Sequence, residues 1–275
     1  MSGRLRILLL TGLASALVFL FILIGFPYGK LAAYVSAQLE AQTGTQVSIQ
    51  DIRPYLHVLG PGIQASGIHT VVDSYEIEID HTSLRPAWSL SWLRADPALQ
   101  THIETSAGDI EGTVTLGKKM GFDGFVELRD VGALPLERWW PGFDLEGEGR
   151  IEIDARLDAD GPDGTIEFDV VQGSIGLPDL PVAIPFDEIR GRLTMGGDHW
   201  TLVEEFSLSG PVIDAEVSGQ VARGPSLEQA PVSIDIQVSA EPSLHPALAS
   251  AGILMGGDGS ALIQVTGTAS NLRLR

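Results

Sequence analysis

The residues of this chain with the most chemical potential are its acids and histidines. Thirty-six Asp and Glu face seventeen Lys and Arg, and the net charge is −19. Glu104, Asp109 and Glu111, or the neighbours Glu204 and Glu205, could imitate the carboxyl pair of a glycosidase. Such a pair must flank a sugar at about 5–9 Å, and nothing in the sequence brings two of these acids to that separation. The six histidines stand at 57, 69, 81, 102, 199 and 245. None has a second His at metal-ligand spacing. His57, His69 and His81 lie twelve apart, which could align them on neighbouring strands, but unrelated surface positions are the favoured reading. The run DADGPDG, 158–164, has acids at its first, third and sixth positions. An EF-hand needs them at one, three and five, Gly at six and Glu at twelve, so a hairpin turn is favoured over a weak calcium loop. There is no phosphate-binding G-x-x-x-x-G-K-S/T, no G-x-S-x-G elbow and no H-E-x-x-H pair. The chain has no cysteine, which excludes thiolate nucleophiles, Cys-type zinc sites and thiol redox roles. The expectation is a protein without catalytic, cofactor-binding or metal-ligating residues, and not an enzyme.

The charge balance narrows the partners. Residues 1–26 carry two Arg and no acid, so residues 27–275 hold 15 basic and 36 acidic residues, a net −21. That surface opposes nucleic acid, whose binding needs basic groups to displace counterions. It equally opposes a peripheral dock on anionic headgroups.

Ile7–Phe26 is a run of twenty residues without a charge. As a helix it would cross roughly 30 Å, the hydrocarbon thickness of a bilayer. Arg4 and Arg6 precede it, which places the N-terminus in the cytoplasm and the remainder across the inner membrane. A cleaved signal peptide would have an apolar run of only about 7–15 residues and a small-x-small site, whereas Phe26-Pro27-Tyr28 follows here. The organisation expected is a cytoplasmic 1–6, a single span at 7–26 and a periplasmic β-rich domain at 27–275, with possible internal boundaries near 100 and 140.

After Pro27, Leu31, Val35 and Leu39 form one helical stripe with Tyr34 beside it, and Thr43-Gly44 is a stop. This predicts an amphipathic helix over 28–43. Its polar face is not rich in Lys or Arg, so closing a β core is favoured over lying on a membrane. From Val47 the period changes to two. Ile77 and Ile79, then Ile151, Ile153 and Ala155, then Ala215 and Val217, then Ile234 and Ile236 alternate with polar residues. Strict alternation predicts antiparallel strands with one apolar and one wet face. Turn signals separate them, among them Gly60-Pro61-Gly62, Gly117-Lys118-Lys119 and Gly196-Gly197-Asp198. Leu84, Trp88 and Trp92 suggest a short helix after Pro86. With Arg85 and Arg94, Trp88 and Trp92 are candidates for an aromatic-basic interface, although packing under the sheet is favoured; Trp139 and Trp140 mark a second connector and a second candidate interface.

The order of parts, from the span through FPYGKLAAYVSAQLEAQTGTQVSI, LGPGIQASGIHTV and LRPAWSLSWLRADPAL to THIETSAGDIEGTVTL, resembles the GspN family of type II secretion proteins, within the wider AsmA-like envelope group. GDIEGTVTL and the stretch 170–222 are similar to the strand pairs of that group, and VTGTASNLRLR is similar to the GspN ending, with Asn271-Leu272 in place of an expected proline. The resemblance implies a curved, mostly antiparallel sheet, either an AsmA-like groove or a sandwich. It implies an accessory or scaffold role in type II secretion with other secretion subunits as partners. Alternatively it implies a lipid-binding or lipid-transfer module, for which the alternation gives the apolar lining against acyl chains as residues such as Ile151, Ile153, Val217 and Ile236.

Overall fold

The computed structural model describes residues 27–43, 45–58, 60–72, 75–87, 97–116, 120–134, 142–158, 161–176, 183–197, 199–224, 229–250, 252–268 and 271–274. The predicted span at 7–26 lies outside them, as do Trp88, Trp92, Trp139 and Trp140. Among the described residues no helix is long and apolar enough to cross a membrane. The chain divides into two compact units, one of residues 1–88 with 102–106, the other of residues 89–101 with 107–275.

In the first unit, helix α1 (Tyr28–Thr43) starts directly after Pro27, whose missing N–H costs nothing at a helix start; the Pro27 carbonyl accepts from the amides of Lys30 and Leu31 at 2.9 and 3.3 Å. Strands β1 (Gln46–His57), β2 (Gly60–Val72) and β3 (Tyr75–Pro86) follow as an antiparallel meander. The apolar side of β1 begins on odd residues, Val47 and Ile49, and continues on even ones, Ile52 and Pro54. The switch falls where the ladder lacks the pair Gln50–Gly67, and Gly67 adopts φ +60°. Only glycine takes that conformation cheaply, and a Cβ there would lie 2.4 Å from the Gln50 side chain.

The helix does cover a β core, but its contact is centred differently from the predicted stripe. Ala32, 3% exposed, packs with Ile52 and Ala65, flanked by Tyr28, Leu31, Ile49 and Ile68. Tyr34 is 67% exposed. The small Ala32 lets the helix backbone approach the sheet, so Ala32→Leu is expected to overpack the joint and destabilise the unit by about 1–3 kcal/mol, read by chemical denaturation. Two local expectations are corrected. Gly60-Pro61-Gly62 opens β2, because His57 pairs with Gly60 and the loop is two residues, 58 and 59. Leu84 belongs to β3, paired with Ile63, and the short helix expected after Pro86 falls outside the described residues.

Strand β4 (Ala98–Thr105) falls on the division between the units. The second unit continues with β5 (Gly108–Leu116), β6 (Met120–Leu128), β7 (Asp144–Asp158), β8 (Gly161–Gly176), β9 (Ile184–Gly196), β10 (His199–Ser209), β11 (Ile213–Ala222), β12 (Pro231–Ala240), β13 (Ser260–Thr268) and β14 (Asn271–Leu274). Each strand from β5 pairs antiparallel with the next. The mainly β, antiparallel character is as the alternation predicts. Asp158 pairs with Gly161 and Leu116 with Met120, so two- and three-residue hairpin connections join these strands, and Gly161–Gly164 of DADGPDG opens β8 as Gly60–Gly62 opens β2. Such short loops leave a strand no path but back along its predecessor. The described strands of this unit therefore form one sheet, and within the unit no second sheet faces it as a sandwich would require.

Candidate functional site

The register lines up the apolar side chains of the second unit into rows that run across strands. One row passes from Ile110 through Val126, Ile151, Phe168, Gly191, Phe206, Val217 and Ile236 to Ile263. The next passes through Ile153, Ile166, Leu193, Val203, Gly219 and Ile234 to Val265. Ile151, Ile153, Val217 and Ile236, the four lining residues expected from alternation, thus share one face, and Val217 is directly opposite Ile236. A sheet of this breadth keeps one face only if no strand slips by a single residue. Strand β10 needs help, since it carries one residue too many between Val203 and Phe206. A bulge at Glu204 and Glu205 absorbs it and leaves both acids exposed. Their adjacency serves the register of β10.

Glycines in the rows make room for rings. A Cβ on Gly191 would sit 2.2 Å from the Phe168 ring, and one on Gly112 would sit 2.7 Å from the Phe122 ring. Phe168 and Phe206, on either side of Gly191, approach to 5.8 Å between centroids at 56°. These aromatics extend the lining beyond the four aliphatic residues. The signal for them was faint: Gly191 interrupts an alternating stretch, but which ring it faces depends on register.

Cover on this face is graded along the strands. At one end Leu128, Val170, Ile189 and Leu208 are buried, together with Val131 of the single-turn helix Val131–Ala133 and with Phe186. Asp130 caps that turn, accepting from the Gly132 amide at 2.9 Å. Apart from the buried Gly191, the two middle rows are half-buried. At the other end Leu116, Met120 and Leu157, adjacent in register, are 45%, 56% and 55% exposed. Helix α2 (His245–Ser250) stands at the Ala240 end of β12, where the His245 ring meets the Ala240 carbonyl at 3.1 Å. The described helices of this unit therefore stand at the covered end, and the middle and far rows keep partial exposure.

The opposite face is wet and charged. Arg150 reaches Glu127 at 3.2 Å and Glu152 at 3.0 Å, Arg190 reaches Glu188 at 2.5 Å and Asp169 at 3.4 Å, and Arg192 reaches Glu167 at 2.6 Å. Arg150 also lies 4.6 Å from the centroid of Phe125, which shields that ring. Each of these arginines is half-exposed or more, so a single pair contributes at most about 1 kcal/mol. Across strands, however, they alternate with acids and discourage a register slip.

The residues considered for catalysis are dispersed or paired. Asp109 binds Arg129 at 2.7 Å, and Glu104 meets His102 at 3.0 Å. His69 is opposite Glu78 and His81 opposite Ser66, so the twelve-residue spacing does not bring the histidines together. Among the described residues no group of His, Asp and Glu could hold a metal. Asp258, in the turn before β13, accepts from the Ser260 hydroxyl at 2.9 Å and its amide at 3.1 Å, and these bonds hold its carboxyl below the usual range. The comparisons with protein-family models, curated proteins and solved structures returned no significant match.

Proposed function

We propose that this chain is a non-enzymatic, membrane-anchored envelope protein whose second unit holds the acyl chains of lipids on its apolar face. The carrying observation is the pair of half-buried rows from Ile110 to Ile263 and from Ile153 to Val265. An apolar sheet face needs a cover, and helix or second sheet is the usual one. Nine strands at about 4.8 Å spacing make a face roughly 38 Å across, more than twice the length of one lipid leaflet's hydrocarbon, about 15 Å. A bound chain would gain about 0.8 kcal/mol for each methylene withdrawn from water. The charged opposite face keeps that side in water and makes the sheet two-sided. The AsmA-like resemblance and the uncharged Ile7–Phe26 run support the same reading, with an inner-membrane anchor and a periplasmic sheet.

Detergent-free purification followed by native mass spectrometry tests it. Phospholipid-sized adducts that leave on collisional heating are the expected result; a lipid-free mass under conditions that preserve the fold overturns it.

A second reading, an accessory component of type II secretion, draws on the GspN resemblance and on one feature of the sheet. Strand β14 pairs only with Val265–Thr268, so Ala261–Gln264 has no strand on its outer side among the described residues. An open edge invites strand addition from a partner. Crosslinking from Leu262, 64% exposed, to another secretion subunit would favour it.

A further inference from the structure

The first unit carries an exposed apolar end that the lipid-holding face does not account for. Beyond the part of the sheet covered by α1, the same face continues through Pro54, Ile63 and Leu84 to Leu56 and Pro61. Ile63 and Leu84 are 45% and 40% exposed, Leu56 is 70% exposed, and Val58 in the β1–β2 loop is 97% exposed. We propose that this hairpin end is a membrane-docking tip, seated at the headgroup–acyl boundary of a lipid bilayer. The inference rests on reading Ile7–Phe26 as the span, and is independent of the lipid-holding face of the second unit.

Placement comes from topology. Only residues 44 and 45 link α1 to β1, so the two run antiparallel, and Tyr28 and Ala32 lie over Ile52. The helix therefore begins toward the β1–β2 loop, and Pro27, which follows the uncharged run in sequence, lies at that same side. From Ile52 to Val58 the strand advances roughly 20 Å. Ala32 to Tyr28 spans only about 6 Å of helix. The tip thus protrudes past the helix start by roughly 14 Å, enough to reach the depth at which interfacial segments rest, about 5–10 Å.

The net −21 of residues 27–275 opposes anionic headgroups as a whole, but the charge local to this end does not. Residues 52–72 contain no acid in a chain of net charge −19. The basic residues of this end are Lys30, Arg53, His57 and Arg85, and its nearest acid, Asp51, is paired with Arg53. The acids of β3, Glu76, Glu78 and Asp80, belong to the half nearer the other end. An apolar tip flanked by Lys30 and Arg85, with Asp51 compensated by Arg53, matches acyl chains below phosphates.

The cysteine-free chain permits a single-site test. The full chain carrying Val58→Cys with a nitroxide is placed in vesicles of phosphatidylethanolamine and phosphatidylglycerol, beside the same chain labelled at Val71→Cys, which marks the opposite end. A water-soluble nickel chelate is expected to relax the Val58 label several-fold less than the Val71 label, while dissolved oxygen relaxes Val58 more. Equal nickel access at both sites overturns the proposal. Shielding of Val58 from nickel and oxygen alike also overturns it, since the tip is then covered by residues 7–26 or by a second copy; so does failure of the full chain to enter vesicles. Both labelled sites are exposed in the fold, and circular dichroism of each labelled chain verifies that it is intact. Lipid adducts on the second unit are read separately and can fail or persist without affecting this outcome.

Discussion

Val217→Asp combined with Ile236→Asp is expected to abolish lipid adducts while leaving the protein folded. The two side chains are directly opposite each other on β11 and β12, in the middle of the half-buried row. Two carboxylates there repel each other and put charge where acyl chains would lie. Because the positions retain access to water, the carboxylates stay hydrated and the cost to folding is about 1–2 kcal/mol. Val170→Asp is the contrasting variant. Val170 is 6% exposed in the cluster under Val131 and Phe186, so a carboxylate there loses its water without gaining a partner and should unfold the unit. Native mass spectrometry and thermal unfolding of the variants provide the measurement. If the double variant unfolds as Val170→Asp does, the middle rows are a closed core and the lipid-holding reading is wrong.

Gly173→Ala is expected to be the most damaging single methyl among the described residues. A Cβ at this position would lie 1.8 Å from the Glu146 carbonyl oxygen and 2.5 Å from the Phe186 ring. A backbone atom cannot rotate away as a side chain can, so β7 and β8 would have to separate. They are already irregular here: the ladder shifts between Glu146 and Glu148, Gly147 adopts φ +142° and Gln172 adopts φ +53°. The bulge lets Phe186, 3% exposed, enter the cluster beside Val170 and Ile189. Losing that geometry should cost about 3 kcal/mol, the upper end for overpacking, and lower the melting temperature by roughly 10 °C. Gln172→Gly should shift it the other way, by about 1 kcal/mol, since it relieves a left-handed non-glycine residue. A melting temperature for Gly173→Ala within 2–3 °C of the parent would refute the assigned packing.

Much of the architecture was legible because it is periodic. Ile151, Ile153 and Ala155 against Glu152 and Asp154 define a strand with two unlike faces whatever its neighbours are, since side chains alternate at every residue. Leu31, Val35 and Leu39 likewise marked a helix over the span that α1 occupies, although Ala32 proved to be its deepest contact. Hidden elements were those that depend on a partner. Leu84 matched a helical stripe with Trp88 and Trp92, yet its pairing with Ile63 makes it a strand residue. Gly60-Pro61-Gly62 has turn composition, yet the ladder begins at Gly60.

The candidate site divides the same way. The sequence by itself determined that Ile151, Ile153, Val217 and Ile236 are the apolar members of their strands, that no thiol chemistry is available, and that an uncharged run precedes the first helix. Those properties follow from local side-chain chemistry and a period of two, which need no long-range contact. Only the tertiary structure decided that Val217 meets Ile236, that Phe168 rests on Gly191, that Glu204 and Glu205 form a bulge, and that one end of the face is covered while Leu116, Met120 and Leu157 remain exposed. Register and cover are properties of pairs of segments: a slip of one residue would exchange the faces without altering a single strand's pattern, so no strand carries that information alone.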